Sequence, residues 1–439
     1  MSKVNMMSAK DKKKGSLVPR LRFPEFNGEW RSQPLGELAF IIKEKAGDRK
    51  CILMSIMSGV GLIPQIDKFG KEIAGQQYKN YIILHKNDFA YNKSSTKEYP
   101  EGFIAMYIGT EIAAVPNSIF TCFKIKVADI AHLYLNYLFL YNFHGKYLKR
   151  YITIGARSHG ALAIDDADLL SLPIPYPTGN TSFKEQQRIA DCLSSLDERI
   201  AAETNKLDAL KAHKKGLLKQ LFPAEGETLP QLRFPKFRNA GEWEEKNFRN
   251  ICEKIMDGTH FSPKSKCGPF LYITSKNIQN GLLDLSNASS ISEEEHRQIF
   301  AKCPVKINDI LLTKDGANTG NCALNNLDFE FSLLSSVAVL RCKKGCIIQE
   351  FLYYTIASPF FQKKIKESIS GQAITRITLE KIGSYRIFSP KEFEQQRIAD
   401  CLSSLDELIT AQSQKIELLK DHKKGLMQQL FPRIDEVRA

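Results

Sequence analysis

The chain has 439 residues, of which 43% are apolar and 25% are charged, a composition typical of a globular protein with two or three domains. Its longest apolar run, 130–143, is interrupted by polar side chains and is shorter than the roughly 18–20 residues that span a bilayer. The lysine-rich segment 1–14 lacks the apolar stretch of a secretion signal. We therefore expect a cytoplasmic protein that makes no membrane contact and whose ten cysteines are reduced.

The net charge is +13, from 62 lysines and arginines against 49 aspartates and glutamates. The excess lies in the first 30 residues (+4) and in two long blocks, 31–184 (+5) and 244–393 (+4). A basic surface attracts polyanions, above all nucleic acid, although a surface that merely keeps the protein soluble explains the charge equally well.

An internal repeat dominates the sequence. Segments 185–223 and 394–432 are identical at 28 of 39 positions, and both begin with Glu-Gln-Gln-Arg-Ile-Ala. A shorter repeat, Leu-Arg-Phe-Pro-x-Phe followed by Gly-Glu-Trp, opens each half at 21–30 and 232–243. The blocks between these markers differ in sequence. The two copies begin 209 residues apart, far more than the roughly 20–50 residues of a solenoid repeat, so this pattern predicts a duplicated pair of domains.

The repeated segments are predicted to be long helices. Apolar residues recur at spacings of four and three in both copies, beginning with Ile189, Leu193 and Leu196, which is the heptad pattern of a coiled coil. Ser182 and Glu185 fit a capping box at the start of the first helix. The second block joins the C-terminus of the first helix to the N-terminus of the second. If the helices pair, they must therefore run antiparallel.

Each block shows the same weaker pattern of elements. A strand-like run, 87–93 or 308–314, ends in a lysine five residues after an aspartate. An amphipathic helix follows, around 130–151 or 349–369. The predicted fold class is therefore α+β, with two similar globular domains separated by two long helices that form an antiparallel coiled coil, a pseudo-two-fold duplication. The predicted segments are a first domain, 17–184, a central helix, 185–223, a linker with the second domain, 224–393, and a C-terminal helix, 394–432.

Motifs for catalysis are missing from the sequence. The chain has no Gly-x-x-x-x-Gly-Lys-Ser/Thr phosphate loop, no glycine-rich methyl-donor loop and no Cys-x-x-Cys pair for zinc. A nuclease-like pattern can be assembled around Glu25, but the corresponding position in the second half is Lys236, so we treat that match as chance. We therefore expect a binding protein without catalytic residues, metal or cofactor of its own.

The repeated openings, the Glu-Gln-Gln-Arg-Ile-Ala helix starts, the Leu-Phe-Pro helix ends and the sequence Asp-Gly-Thr-His at 257–260 resemble the specificity subunit of a Type I restriction–modification enzyme. The resemblance covers about residues 17–432. It implies that the blocks are target recognition domains, each reading one half of a bipartite double-stranded DNA sequence. The first block departs from the pattern, with Glu-Lys-Ala-Gly-Asp at 44–48 where the second has Asp-Gly-Thr-His.

The same resemblance implies the partners of the chain. The helices would set the spacing between half-sites and dock methylation subunits, two of them, and restriction subunits would join the full complex. S-adenosylmethionine, ATP and magnesium are expected only in those partner subunits.

Candidate DNA-binding residues are the polar ends of the strand and turn motifs, where donors and acceptors could reach base edges and cations could reach phosphates. In the first block they are Lys93, Ser94, Ser95, Thr96, Lys97, Arg157, Ser158 and His159. In the second block they are Thr259, His260, Lys276, Asn277, Lys314, Asp315, Gln372, Thr375 and Arg376. Lys93 and Lys314 are the strongest candidates because they recur in blocks that otherwise differ.

Two other classes of function remain open at this point. A stand-alone DNA-binding regulator or architectural protein would bind DNA without methylation subunits. A protein scaffold would use its helices to bind other proteins and would show no salt-dependent binding of DNA.

Overall fold

The computed structural model describes residues 17–57, 59–152, 162–265, 267–279, 281–369 and 375–433. By contacts the chain divides into unit 1, Met1–Glu203 with Lys415–Ala439, and unit 2, Thr204–Gln414. Each long helix is therefore shared between the units. A unit contains one block, the N-terminal half of the helix that follows that block, and the C-terminal part of the other long helix.

Unit 1 combines short strands with short helices. Its strands are β1 (Trp30–Pro34), β2 (Ala39–Ile42), β3 (Ile52–Met57), β4 (Gly61–Pro64), β5 (Ile82–Leu84), β6 (Phe89–Asn92), β7 (Phe103–Met106), β8 (Ala113–Val115), β9 (Phe120–Ile125) and β10 (Pro173–Pro177). Its helices are α1 (Leu35–Leu38), α2 (Gln65–Phe69), α3 (His132–Leu140), α4 (Phe143–Leu148), α5 (Asp166–Leu170) and the first half of the long helix α6 (Ser182–Gln220).

Unit 2 repeats this arrangement in outline. Its strands are β11 (Glu244–Asn247), β12 (Cys252–Asp257), β13 (Phe270–Ile273), β14 (Ile278–Gln279), β15 (Leu282–Leu283), β16 (Ser289–Ile291), β17 (Ile310–Thr313), β18 (Cys322–Leu324), β19 (Ser332–Leu333), β20 (Val337–Cys342) and β21 (Arg386–Ser389). Its helices are α7 (Phe248–Ile251), α8 (Glu293–Phe300), α9 (Gln349–Ala357), α10 (Pro359–Ile369), α11 (Leu379–Ser384) and the first half of the long helix α12 (Glu392–Leu430).

One antiparallel sheet is common to both units. Its strand order is β2-β9-β6-β7 in unit 1 and β12-β20-β17-β18 in unit 2. A two-stranded ribbon also recurs, β1 with β10 and β11 with β21. The mixed helix and strand content and the duplication predicted from the sequence are confirmed.

The turn before the central strand of this sheet explains the repeated Asn-Asp pair. Asn87 and Asn308 have left-handed φ angles of 73° and 68°, which asparagine tolerates better than most residues. The aspartate that follows accepts a hydrogen bond from the backbone N–H three residues before it, at 2.7 Å in both units. The first two residues of each predicted strand therefore form a turn, and the strand begins after them.

The amphipathic helices of the two blocks are each broken into two, so the prediction of single helices over 130–151 and 349–369 was wrong. In unit 1 the break falls at Asn142, whose φ of 58° is left-handed and cannot continue a helix. In unit 2 it falls at Ser358, because the following Pro359 disfavours a helical conformation in the residue before it.

Within each unit the long helices pair antiparallel, as predicted. In unit 1, Lys423 Nζ lies 2.5 Å from Asp197 Oδ1, and Lys415 pairs with Glu203. The residue with the higher number on α12 therefore pairs with the residue with the lower number on α6, as antiparallel helices require. In unit 2, Lys214 Nζ lies 2.5 Å from Asp406 Oδ1, which is the same pair shifted by the repeat offset. Lys214 and Lys423 are thus each paired with an aspartate on the facing helix.

An arginine–glutamate pair attaches the opening segment of each half to its helix. Arg22 donates from Nε and Nη2 to the two carboxylate oxygens of Glu185, at 2.7 and 2.8 Å. Arg233 makes the same bidentate contact with Glu394, at 2.8 and 2.6 Å. Both glutamates are almost fully buried, and a buried carboxylate requires such a partner. This contact explains why the Leu-Arg-Phe-Pro and Glu-Gln-Gln motifs recur together.

The prediction of a capping box at the start of α6 was wrong. Ser182 is already the first helical residue, and its hydroxyl donates to the carbonyl oxygen of Pro177. The carboxylate of Glu185 is instead occupied by Arg22 and by the indole N–H of Trp30. The Glu185 carboxylate thus binds partners from far along the sequence and not the backbone N–H that a capping box would use.

The adjacent glutamines attach the helical part of each block to the same helix. Gln186 Oε1 accepts the backbone N–H of Ala131, just before α3, at 2.9 Å. Gln395 Oε1 accepts that of Ile348, just before α9, also at 2.9 Å. Both glutamine side chains are buried.

Each core takes residues from both long helices. In unit 1, Leu193 of α6 and Phe431, just after α12, pack with Trp30 and Tyr134. In unit 2, Leu402 of α12 and Phe222, just after α6, pack with Trp243 and other residues of the second block. Removing either helix would therefore open both hydrophobic cores to water.

Candidate nucleic-acid interface

The polar loops of unit 2 meet at one edge of its main sheet. Strands β12 and β17 both pair antiparallel with β20, so they run in the same direction and end at the same edge. The segments that follow them, 257–260 and 314–316, are therefore neighbours. A third segment, 375–377, pairs with the second: Ile377 N–H donates to Lys314 O at 2.8 Å, and Gly316 N–H donates to Thr375 O at 3.0 Å.

The side chain of Lys314 lies underneath this surface. It is 1% exposed, and its Nζ is 3.3 Å from Asp257 Oδ2 and 3.3 Å from Asp315 Oδ2. A buried ammonium needs opposite charges and hydrogen bonds to offset its lost hydration. Lys314 is therefore neutralised inside the domain, where it joins two loops. This position does not support the expectation that Lys314 itself contacts DNA.

The two carboxylates on Lys314 face exposed donors with their other oxygens. His260 Nε2 is 3.4 Å from Asp257 Oδ1, and Arg376 Nε is 3.3 Å from Asp315 Oδ1. The side chains of His260 and Arg376 are 64% and 52% exposed. The buried network thus lies next to two exposed nitrogen-bearing side chains.

The remaining predicted residues of unit 2 divide into supports and exposed groups. Thr259 is buried, and its backbone bonds to Leu333 at 2.8 Å, which fixes the loop after β12. Asn277 is also buried, and its Oδ1 accepts the N–H of Thr274 at 2.9 Å. Lys276, next to Asn277, and Thr375, next to Arg376, are both exposed.

In unit 1, Lys93 occupies the backbone position that Lys314 has in unit 2. Its N–H donates to Ile119 O at 2.8 Å, and its carbonyl accepts from Leu162 N–H at 2.7 Å, matching the two backbone bonds of Lys314. The Lys93 side chain is partly exposed. Among the described residues, no carboxylate lies within 4.0 Å of its Nζ.

The loop after Lys93 is a compact polar turn. Thr96 N–H donates to Tyr99 O at 3.1 Å, and Tyr99 N–H donates back to Thr96 Oγ1 at 3.0 Å. Ser94 is partly buried and bonded to Asn92, whereas Ser95, Thr96 and Lys97 are exposed. The predicted residues that lie outside the described part of the chain are Arg157, Ser158, His159 and Gln372.

Sequence reasoning missed Asp257 as a site residue. It was noted only as part of the Asp-Gly-Thr-His motif, whereas the structure makes it one of the two counter-ions of Lys314. No signal near Lys314 in the sequence pointed to Asp257, because the two residues lie far apart along the chain and are brought together only by the pairing of β12 and β17 with β20.

A serine–histidine–glutamate chain in unit 2 has the spacing of a catalytic triad but not its access. His296 Nδ1 is 3.0 Å from Ser332 Oγ, and its Nε2 is 3.3 Å from Glu330 Oε2. Ser332 is 0% exposed within strand β19, so no substrate can reach its hydroxyl. In the described part of the chain, no three histidine, cysteine or acidic side chains are grouped to bind a metal ion.

The geometry therefore provides two polar faces of different chemistry on a repeated helical frame. Exposed polar groups at a sheet edge suit recognition of a polar ligand such as the edges of DNA bases. These features define a duplicated recognition protein. No helix among the described residues has the length and apolar character needed to cross a membrane.

The family model for the Type I restriction modification DNA specificity domain matches the chain twice, over residues 27–212 and 240–421. The chain belongs to this family.

Two curated relatives come from Methanocaldococcus jannaschii. The Type I restriction enzyme MjaVIII specificity subunit is 24% identical over 304 residues, covering 66% of this chain and 69% of that protein. The putative type I restriction enzyme MjaX specificity subunit is 24% identical over 383 residues, covering 83% of each chain.

Solved structures share the fold. The S subunit of a Type I restriction-modification system from M. genitalium aligns with a TM-score of 0.55 at 16% identity, over 95% of this chain and 99% of that one. A chain from a structural study of complex assembly and conformational transition in the type I R-M system aligns with a TM-score of 0.54 at 18% identity, over 93% and 99%.

Proposed function

We propose that this chain is the DNA-specificity subunit of a Type I restriction–modification complex, in which each block reads one half of a bipartite double-stranded DNA target. The observation that carries the proposal is a contrast within the molecule. The contacts that attach the blocks to the long helices are repeated, as in Arg22 with Glu185 and Arg233 with Glu394, while the polar faces of the blocks differ.

Different faces on one frame suit a bipartite target whose two halves differ in sequence. Two faces of the same chemistry would read the same half-site twice. The candidate residues fall into two roles. Exposed cations such as Lys97 and Lys276 suit phosphates, which position the protein, and the donors His260 and Arg376 suit base edges, which specify the sequence.

The proposal extends to the partners. Two methylation subunits dock on the repeated helices, which set the spacing between the half-sites, and restriction subunits join the complete assembly. The names of the relatives support a role within a restriction enzyme, and one aligned structure concerns complex assembly. The chain itself has no catalytic role. S-adenosylmethionine, ATP and magnesium are bound by its partners, and the complex acts in the cytoplasm.

The test is methylation sequencing of DNA modified by the reconstituted complex of this chain with its methylation subunits. We expect one bipartite target. Replacing 31–184 with the first block of another family member should change one half of that target and leave the other half intact. The reciprocal replacement of 244–393 is the matched control, and it should change only the second half. A change of both halves in either hybrid would contradict the proposal.

A second arm tests the non-catalytic role. The chain alone should transfer no methyl group to DNA that carries the target, and adding the methylation subunits should restore transfer. No observation in the structure favours a stand-alone regulator. Methyl transfer by the isolated chain, or tight specific binding that is unaffected by the subunits, would favour another assignment.

A further inference from the structure

We propose that Arg376 reads a guanine in the half-site bound by unit 2, and that Asp315 orients the guanidinium for this contact. The inference rests on the proposed function and deepens it by assigning a base to one side chain. It also gives Lys314 and Asp257 a role, which is to fix Asp315 from below.

The backbone around Arg376 is held in place by the loop that follows β17. Asp315 and Arg376 form an antiparallel bridge. The flanking residues are bonded to the same loop: Thr375 Oγ1 donates to Gly316 O at 2.9 Å, and Ile377 N–H donates to Lys314 O at 2.8 Å. The backbone of Arg376 is therefore fixed, while its side chain remains half exposed. Less conformational freedom is then lost when the guanidinium binds a ligand.

The side chain of Arg376 is aimed by a carboxylate. Its Nε is 3.3 Å from Asp315 Oδ1, which leaves the two terminal nitrogens of the guanidinium available to a ligand. Asp315 is itself held through Oδ2, at 3.3 Å from the buried Lys314 Nζ, and Lys314 is also held by Asp257. Asp315 Oδ1 is buried and has no hydrogen bond in the described part of the chain. It can therefore accept a hydrogen bond from the Nε–H of Arg376 when the guanidinium binds a base.

The charge around Arg376 favours a base edge over a phosphate. Asp315 Oδ1, 3.3 Å from Arg376 Nε, opposes the approach of a second anion, while Lys314 is neutralised between two carboxylates. A guanine edge is uncharged and meets no such repulsion. An arginine that served only to bind phosphate would gain from having no aspartate at its Nε.

Among the bases, guanine matches the donors of arginine. Its major-groove edge presents two acceptors, O6 and N7, which accept two parallel N–H bonds. Adenine pairs one acceptor with a donor, and thymine offers one acceptor beside a methyl group. The two terminal nitrogens of Arg376 therefore match guanine best.

The first test is the target itself. Methylation sequencing with the unaltered complex should give a bipartite target whose second half contains at least one G·C pair. If no bipartite target is found, the proposed function fails. If a bipartite target is found but its second half contains only A·T pairs, the assignment of Arg376 to guanine fails alone.

The second test is Arg376→Ala in the complete complex, assayed against targets in which each position of both half-sites is varied. We expect discrimination at one G·C pair of the second half-site to fall roughly 5- to 150-fold, the range for loss of a good bidentate contact. Every position of the first half-site should keep its discrimination. A uniform loss of affinity across all targets, with a smaller salt dependence, would make Arg376 a phosphate contact and overturn the inference.

Asp315→Asn tests the positioning role. The variant should reduce discrimination at the same base pair, by less than Arg376→Ala does, because the arginine remains but is no longer fixed by a charge. Thermal unfolding of both variants checks that unit 2 remains folded, and the exposed Arg376→Ala variant carries the decision if Asp315→Asn does not fold. Loss at a different position, or no change with the folded variant, would contradict this role.

Arg386→Ala is the matched control. Arg386 is also an exposed, ion-paired arginine of unit 2, with Nη1 3.0 Å from Glu245 Oε2, but it lies on the ribbon strand β21. Its loss should leave both half-sites unchanged. A loss of base discrimination with Arg386→Ala equal to that with Arg376→Ala would show that the assay does not isolate a base contact, and would overturn the assignment.

Discussion

Lys93 of unit 1 and Lys314 of unit 2 occupy the same backbone position but different electrostatic surroundings. Lys314 is buried between two aspartates, whereas Lys93 is partly exposed and has no carboxylate within 4.0 Å among the described residues. The main-chain bonds that define the position are the same in both units. The main-chain arrangement is thus the same in the two units, while the charged side chains around the lysine differ.

The strand two places along the sheet contributes to this difference. In unit 2, β12 ends at Asp257, opposite Ala338, and this residue supplies a counter-ion for Lys314. In unit 1, β2 ends one residue earlier, opposite Cys122, and the next residue is the exposed Lys43. A carboxylate at this edge in one unit and an ammonium in the other give the two faces opposite local chemistry, which is what two different half-sites require.

The largest expected effect comes from removing the charge of Lys314. Lys314→Met leaves two neighbouring carboxylates without their cation and should lower the free energy of unfolding of unit 2 by about 3–5 kcal/mol. Lys93→Met is the matched control and should cost unit 1 less than about 1 kcal/mol. Because the chain has two tryptophans, one per unit, denaturation followed by fluorescence in Trp30→Phe and Trp243→Phe backgrounds reports each unit separately. Equal costs would contradict the contrast between the two lysines.

An effect of intermediate size is expected on the stability of unit 1 as the pH falls. Complete burial lowers the pKa of His144 to about 4, and its Nε2 is 3.2 Å from the carbonyl oxygen of Gly102. Below about pH 6.5 the unfolded chain binds a proton that the folded unit does not, so stability falls until the pH reaches the folded pKa. At pH 5 this amounts to about 2 kcal/mol relative to pH 7.

Comparison with His144→Leu isolates that contribution, because other groups titrate equally in both proteins. The difference in stability between the two proteins should change by about 2 kcal/mol between pH 7 and pH 5, read from Trp30 fluorescence in the Trp243→Phe background. A pH-independent difference would show that His144 does not titrate as its burial implies.

The smallest expected effect separates the two tryptophans. Trp30 Nε1 donates to Glu185 Oε1 at 3.3 Å, whereas Trp243 Nε1 is buried without a hydrogen-bond partner among the described residues. Trp30→Phe should therefore cost about 1.5 kcal/mol more than Trp243→Phe, since only the first loses a bond to a charged group. Amide hydrogen exchange in β1 and β11 measures the two costs without relying on either tryptophan. An equal cost would mean that the bond to Glu185 contributes nothing to stability.

The repeat and the helix pattern allowed much of the fold to be predicted from the sequence. Identity at a fixed offset revealed the duplication, and the heptad spacing gave the helices and, with the order of the blocks, their antiparallel direction. The candidate site was only partly predictable. The polar ends of the strands were found, but nothing in the sequence distinguished the buried Lys314 from the exposed Arg376.

The sequence alone determined the duplication, which is visible as repeated text, and the features that depend on near neighbours, namely the long helices and the polar turns after the central strands. The tertiary structure decided what depends on distant partners. Glu185 binds Arg22, 163 residues away, and not a local cap. Lys314 is buried because Asp257 arrives on a parallel-running strand of the same sheet. The physical reason is that the stability of a buried charge depends on the group that packs against it, and chain folding brings that group from far along the sequence.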